Sequence, residues 1–362
     1  MKQVWIYIKQ NPINFLLLAI PIAVFAEYSH YGSMVVFVAS AIGVVPLAGL
    51  IGSATEVLAS KTGPKIGGLL NASLGNAAEL IITLIAIRAG LIELAKASIT
   101  GSILGNLLLV MGFAMLTGGL KNGVQKFDRR HTGNHAILLV VAVVALAIPS
   151  LFSYSIGPAE SIGVEALSLG VAAVMIVIYM LGIIYALKFS KSPITFTTAK
   201  ENNHSHHPQW KLSTAIIVLG ISTFGVAFLS ELLVGAIDEV VKNFGLSEFF
   251  LGIILIPIVG NVAEHLVAVQ VAIRNEMDLS VEISLSSSLQ VALFVSPLLV
   301  FISLLMGNPL TLVFNNFELI SLGAAVMIAV LVAMDGESNW LEGAALLGVY
   351  LILGIGFFLL PT

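Results

Sequence analysis

Long apolar segments recur along the whole chain, and they constrain its fold more than any other feature. A helix needs about 20 mostly apolar residues to cross the hydrocarbon core of a bilayer. Eleven segments have roughly that length, so we expect an all-α polytopic membrane protein with eleven transmembrane helices. The segments lie at about 13–30, 33–60, 65–89, 95–119, 134–153, 165–189, 212–238, 247–273, 281–306, 317–334 and 340–361.

The composition agrees with this interpretation. Of the 362 residues, 58% are hydrophobic and 10% are charged, whereas a soluble domain carries about 25% charged residues. A formal net charge of -4 is too mild to indicate a nucleic-acid partner. The chain has no cysteine, which excludes disulfides, thiolate metal ligands and cysteine nucleophiles. The expected environment is therefore the lipid bilayer.

Basic residues are distributed unevenly between alternate connections of the eleven-helix arrangement. The positive-inside rule places the N-terminus and the linker in the cytoplasm and the C-terminus outside. Lys2 and Lys9 precede the first segment without a cleavage site, so we expect a retained helix. The lack of a targeting sequence fits a prokaryotic inner membrane. The cytoplasmic set is Lys2, Lys9, Lys61, Lys65, Lys121, Lys126, Arg129, Arg130, Lys188, Lys191, Lys200, Lys211 and Arg274, against Arg88, Lys96 and Lys242 outside.

A short motif occurs twice in the chain. Residues 75–79 (GNAAE) match residues 260–264 (GNVAE) 185 positions later, and the same offset pairs Ser102 with Ser287. With eleven helices, the two motifs lie on helices that run in opposite directions. We therefore expect two inverted five-helix repeats, an architecture typical of transporters. The expected parts are an N-terminal helix (1–31), a first repeat (32–190), a cytoplasmic linker (191–211) and a second repeat (212–362).

The motif glutamates, Glu79 and Glu264, each lie near the middle of an apolar segment. A charge at that depth costs about 2.5–3.5 kcal/mol on insertion scales. No lysine or arginine is expected at the same depth, because Arg88 and Arg274 fall at helix ends. A divalent cation or protons would neutralise the pair. The alternative is a hydrogen bond between helices made by a protonated carboxyl, but the repetition of the motif favours an ion site.

Asn76 and Asn261 precede the glutamates by three residues, so each amide shares a helix face with a carboxylate. Gly75, and Gly260 with Pro257, are expected to weaken the helices and free backbone carbonyls as ligands. Calcium takes six to eight oxygen ligands of these kinds. The pattern therefore predicts a calcium site.

Two further polar sets lie on the fourth and ninth segments. They are Ser98, Ser102 and Asn106 in the first repeat, and Glu282, Ser286 and Gln290, with Ser287 beside them, in the second. Small polar residues also serve close helix packing. That explanation accounts less well for the larger amide of Gln290, which costs more to bury.

Four other features have weaker functional interpretations. His265 follows Glu264 where the first repeat has leucine, so it can gate, relay a proton or merely bond a neighbour. Glu56 and Glu231 would guide cations or protons at opposite entrances, although interfacial solvation also explains them. The histidines of the linker, His204, His206 and His207, are interpreted as a solvated loop.

These motifs resemble the signature repeats of the calcium/cation antiporter superfamily, in its calcium/proton exchanger branch. The resemblance rests on residues 63–80 (GPKIGGLLNASLGNAAEL), the GNVAEH at 260–265 and residues 284–297 (SLSSSLQVALFVSP). It implies exchange of cytosolic calcium for protons by alternating access, with Glu79 and Glu264 binding the ion and protons in turn. Asn76, Asn261, Ser287, Gln290 and the carbonyls near Gly75 and Gly260 would complete the site. The helices of Glu56 and Glu231 would be sliding gates.

Several alternatives remain at this point. Sodium/calcium exchange would use the same scaffold, and a cation channel fits the composition but does not need inverted repeats. An intramembrane hydrolase lacks support, because the sequence has no HExxH and no serine and base pair stands out. We expect no enzyme activity and no cofactor, with calcium and protons as substrates. The oligomeric state is left open, a homo-oligomer included.

Overall fold

The computed structural model describes residues 11–62, 67, 70, 73–188 and 210–360, and it is almost entirely helical. One two-stranded antiparallel ribbon pairs β1 (Gln125–Lys126) with β2 (Glu337–Ser338). The helices are α1 (Pro12–Tyr28), α2 (Ser33–Thr62), α3 (Ala77–Arg88), α4 (Ile92–Asn122), α5 (Arg129–Ile156), α6 (Ile162–Lys188), α7 (Leu212–Phe244), α8 (Glu248–Ile273), α9 (Met277–Met306), α10 (Asn316–Asp335) and α11 (Trp340–Phe358).

Within the described residues, nine helices are long and apolar enough to cross a membrane. The two that fall short are α1 and the 12-residue α3, which follows a stretch that is only partly described. The all-helical class is confirmed, and the count of eleven spans stays a prediction. Residues 1–10 with Lys2 and Lys9, Lys65, and most of the expected linker with Lys191, Lys200, His204, His206 and His207 lie outside the described residues.

The ends of the helices follow from local chemistry. Asn315 and Asn339 begin α10 and α11 with capping boxes, in which the asparagine side chain and a glutamate three residues later each accept the other's backbone N–H. Tight turns join α3 to α4 and α8 to α9. They contain the left-handed residues Gly90 (φ 83°) and Asn275 (φ 66°), which lie 185 positions apart like the two motifs.

Three helices contain a π-helical segment. Gly105–Val110 interrupts α4 and Val291–Val295 interrupts α9, again at corresponding places in the two halves. The third, Leu251–Leu255, lies in α8 and ends two residues before Pro257. Proline has no N–H to bond the carbonyl four residues earlier, so the helix widens there. Such segments occur frequently at functional sites.

The structure differs from the sequence-based expectation at Gly260. The chain does turn at Gly75 and Asn76, between helical residues 73–74 and α3. By contrast, α8 runs without a break through Gly260, and its distortion lies at Leu251–Leu255. Pro257 has no N–H to bond the carbonyl four residues earlier, so it distorts the helical turn that precedes it. Gly260 instead permits close approach, since a Cβ there would lie 3.5 Å from the Cα of Glu79.

Helix α4 lies at the centre of the bundle, because 83% of its most apolar stretch is buried, against 22% for α11. It crosses α8 at backbone contact. A Cβ on Gly101 would lie 2.1 Å from the carbonyl oxygen of Ile253, and one on Gly252 would lie 2.7 Å from that of Leu94. Small residues allow such crossings between membrane helices. As a result α3, α4, α8 and α9 meet in the core, and α2 and α7 pack together beside them.

Candidate ion-binding site

Glu79 lies at the point where α3, α4 and α8 meet, with 1% of its surface exposed. Its Oε1 accepts a hydrogen bond from the hydroxyl of Ser102 on α4. Its Oε2 lies 3.4 Å from Nδ2 of Asn261 on α8, and that amide also lies 3.3 Å from the Ser102 oxygen. The first motif glutamate is thus enclosed by polar groups from both halves of the chain.

Two further hydrogen bonds join the halves around this centre. Nδ2 of Asn76, at the start of α3, donates to Oε1 of Gln290 on α9 at 2.8 Å. Nδ2 of Asn106, in the π-helical segment of α4, donates to the hydroxyl of Ser287 on α9 at 3.0 Å. All four side chains are buried. Polar residues predicted from the two repeats therefore lie together in the core and are hydrogen-bonded across the two halves.

Glu264 lies on α8 at the edge of this cluster. Its side chain interacts with Ser287, and its charge is close enough to that of Glu79 for the two to repel. Its Oε2 is buried and meets no hydrogen-bond partner in the described part of the chain, and the same holds for Oδ1 of Asn76. Buried oxygens in this state are costly, and both are of the kind that a hard cation binds.

His265 and Glu56 lie close to Glu264. The His265 side chain is half-buried, and its Nε2 is buried with no partner among the residues that the structure describes. Glu56 is exposed on α2 and lies within electrostatic range of Glu264. Both residues are therefore placed where they can influence the charge of the second motif glutamate.

Glu231 has a different environment. Its Oε1 accepts a hydrogen bond of 2.7 Å from the guanidinium of Arg88, the last residue of α3. The two side chains are 52% and 61% exposed, respectively. The sequence did not indicate this pair, because its members are 143 positions apart and no periodicity connects them. Glu231 is thus an ion-paired group at the end of a site helix.

The remaining candidates divide into two groups. Ser102 and Asn106 belong to the central cluster, as described above. Ser286 instead donates to the backbone carbonyl of the half-buried Glu282 at 2.6 Å, within its own helix. Ser98 is buried, and its hydroxyl has no partner in the described ranges.

The structure also buries two charged side chains, Lys96 and Glu318, which sequence reasoning missed. Lys96 was expected in an outer connection, but it lies within α4, is 5% exposed and pairs with Glu93 at 3.0 Å. One turn further along the helix, Thr100 donates to Glu318 of α10 at 3.0 Å. A lysine side chain is long enough for its backbone to lie inside a helix while its ammonium group reaches a polar partner. Counting basic residues in the connections between helices therefore misplaced Lys96. In the sequence, only the spacing of Asn315 and Glu318, which is typical of a helix capping box, indicated a structural role for Glu318.

Comparison with known proteins identifies the family of the chain. Residues 32–188 and 214–359 match the family model described as sodium/calcium exchanger protein. The chain is 42% identical over 355 residues to the Ca(2+)/H(+) antiporter ChaA of Bacillus subtilis, covering 97% of this chain and 100% of that protein. It is 39% identical over 367 residues to the Ca(2+)/H(+) antiporter of Aphanothece halophytica, with 98% of each covered.

Solved structures give the same result. The structure of native YfkE matches with a TM-score of 0.83 at 40% identity, covering 96% of this chain and 100% of that one. The H+/Ca2+ exchanger CAX matches with a TM-score of 0.69 at 18% identity, covering 96% and 92%, which supports the fold alone. The resemblance predicted from the motifs is confirmed. The chain is a membrane protein that belongs to the sodium/calcium exchanger family, in the branch of the calcium/proton antiporters.

Proposed function

We propose that this protein is a secondary active antiporter that exchanges cytosolic calcium for protons by alternating access. The observation that carries the proposal is the buried group of amides and hydroxyls around Glu79, with the carboxylate of Glu264 at its edge. The relatives named Ca(2+)/H(+) antiporters support the choice of substrates. Calcium and protons are bound as cargo at this site, and no enzyme activity or cofactor is invoked.

Calcium binds between the two glutamates, which supply two negative charges. Its other oxygen ligands come from Asn76, Asn261, Ser287 and Gln290 and from backbone carbonyls near Gly75, where the chain turns. The unmet oxygens of Asn76 and Glu264 support this assignment. Where an asparagine or glutamine amide now directs its nitrogen into the site, rotation of the amide group by about 180° directs its oxygen to the ion instead. Ser102 and Asn106 orient the ligands that they touch, and Glu282 and Ser286 are secondary candidates on α9.

Charge balance enforces the exchange. With both glutamates ionised, the site that holds Ca²⁺ is neutral, and with both protonated it is neutral again. Either occupied form can cross between the two conformations. The empty dianion cannot, because an uncompensated double charge in a low-dielectric interior is expensive. Two protons per calcium is the simplest ratio, and additional protons carried by His265, Glu56 or Glu231 would raise it.

The same proposal includes the inverted architecture. The left-handed turn residues Gly90 and Asn275 and the π-helical segments of α4 and α9 correspond at the offset of the motifs. These correspondences support two inverted five-helix repeats (32–190 and 212–362) after an N-terminal helix, with eleven spans. The N-terminus and the linker (191–211) lie in the cytoplasm and the C-terminus outside, in a prokaryotic inner membrane.

Sodium/calcium exchange is the second candidate, because the matching family model carries that description. The two functions share a scaffold and differ in the ion that neutralises the glutamates when calcium leaves. A measurement must therefore vary the proton and sodium gradients separately.

Uptake of radioactive calcium into proteoliposomes tests the proposal. Wild type is compared with Glu79→Gln, Glu264→Gln and the control Glu160→Gln, which changes an exposed glutamate in the connection between α5 and α6. We expect uptake that is driven by a proton gradient, is indifferent to sodium and is abolished by the two motif substitutions alone. Uptake that follows the sodium gradient would identify the protein as a sodium/calcium exchanger. Absence of calcium flux under either gradient would refute both exchange functions.

A further inference from the structure

The ion pair between Arg88 and Glu231 lies at one end of the site helices. Arg88 is nine residues after Glu79 on α3, which places it about 13 Å along the helix axis from the cluster. A short turn joins the end of α3 to the beginning of α4, and another joins the end of α7 to the beginning of α8. Because the beginning of α4 packs against the beginning of α8, all four lie at this face of the bundle. In the proposed topology this is the outer face. The pair therefore lies between the cluster and the outside.

The ion pair joins two parts of the molecule, the α2–α7 pair and the helices that carry the polar cluster. On one side stands the α2–α7 pair, whose helices pack together closely. On the other side stand the helices that carry the cluster. An apolar cavity of about 190 Å³ lies between α2, α7 and α8, with Phe37, Ile42, Leu233 and Val259 in its wall. Beside the cavity the two parts touch directly, α2 against α8 and α7 against α3, so packing at this boundary is incomplete where the cavity lies.

The ion pair crosses this boundary. Among the described residues, the Arg88–Glu231 pair is the only side-chain ion pair that joins α7 to a helix of the cluster. The other two ion pairs lie within α4 and between β1 and β2. Ser98, one turn before Ser102 on α4 and toward the outer face, is 1% exposed in this conformation.

We propose that Arg88 and Glu231 form a latch that favours closure of the outer entrance between α3 and α7. The proposal rests on the exchange function above, for which it supplies a part of the gating. An ion pair this exposed contributes at most about 1 kcal/mol. The latch therefore biases the equilibrium between closed and open forms by up to about fivefold, and this leaves the entrance free to open in each cycle.

The absence of cysteine from the chain allows a clean test with Ser98→Cys as the single reporter. Intact cells are treated with a membrane-impermeant maleimide, and the labelling rate is measured. We expect slow labelling with the latch intact and a rate up to about fivefold higher in Arg88→Gln and in Glu231→Gln. The charge swap Arg88→Glu with Glu231→Arg should restore slow labelling. Lys126→Gln, which breaks the exposed pair of β1 and β2, is the matched control.

Equal labelling in all variants would overturn the latch, and so would a charge swap that labels as fast as the single substitutions. Faster labelling confined to inside-out vesicles would overturn its assignment to the outer face. Labelling requires no transport, so the two proposals can fail separately. The expected labelling pattern in a wild type without calcium flux would refute the exchange function and leave the latch in place.

Discussion

The backbone contact between α4 and α8 makes Gly101→Ala the most informative packing substitution. A Cβ at this position would lie 2.1 Å from the carbonyl oxygen of Ile253 and 2.7 Å from Cγ of Pro257. Ordinary contact needs more than 3.4 Å, so the two helices must separate by about 1 Å or more. Overpacking of this kind costs about 1–3 kcal/mol. The same displacement moves Ser102, the next residue, relative to Asn261.

We therefore expect two effects of Gly101→Ala: a lower midpoint of thermal unfolding in detergent and weaker calcium binding. Gly105→Ala is the matched control on the same helix, because a Cβ there meets nothing within 4 Å. Alanine also has the higher helix propensity by about 1 kcal/mol, so this control should be neutral or stabilising. Both variants are measured by thermal unfolding and by calcium titration.

Equal stability and equal calcium affinity of the two variants would refute the close crossing of α4 and α8. If Gly101→Ala lowered the stability but not the calcium affinity, the close crossing of α4 and α8 would be supported. Its role in positioning Ser102 would be contradicted.

Three further substitutions test separate parts of the structure. Ser102→Ala removes the hydroxyl that donates to Glu79. Since hydrogen bonds to charged groups contribute about 1.5–3 kcal/mol, calcium affinity should fall about tenfold or more in a titration. Ser288→Ala should leave the affinity unchanged, because that hydroxyl bonds its own helix. Thr100→Val deprives the buried carboxylate of α10 of a partner and should lower unfolding stability by about 1–3 kcal/mol, unlike Thr117→Val, whose hydroxyl bonds its own helix. Asn339→Ala removes a capping box and should cost about 1 kcal/mol in the same unfolding measurement.

The sequence was sufficient for those features that depend on local pattern. Apolar length located the regions in which α1 to α11 lie, of which nine are long enough to span a membrane in the described part of the chain. The repeated motif identified Glu79, which is buried, and Glu264, which lies at the edge of the same polar group. Glu79, Asn76, Ser102 and Asn106 could be nominated because the cost of burying polar groups in a membrane is independent of the details of the fold.

Features that depend on the meeting of distant segments could not be predicted in this way. The pairing of Arg88 with Glu231 and the burial of Lys96 follow from how α3, α4, α7 and α10 pack, which no periodicity encodes. Continuity of α8 through Gly260 was also missed. A glycine signals either a break or a close approach, and only the position of Glu79 against it distinguishes the two.

Proton release on calcium binding tests the central claim most directly. The claim is that the two motif glutamates hold either one calcium ion or protons, never both. Purified protein in weakly buffered detergent solution is titrated with calcium across a pH series, and the released protons are counted. We expect release that rises toward about two protons per calcium as the pH falls, and about one in Glu79→Gln or in Glu264→Gln if calcium still binds. Calcium binding without proton release at any pH would contradict the account.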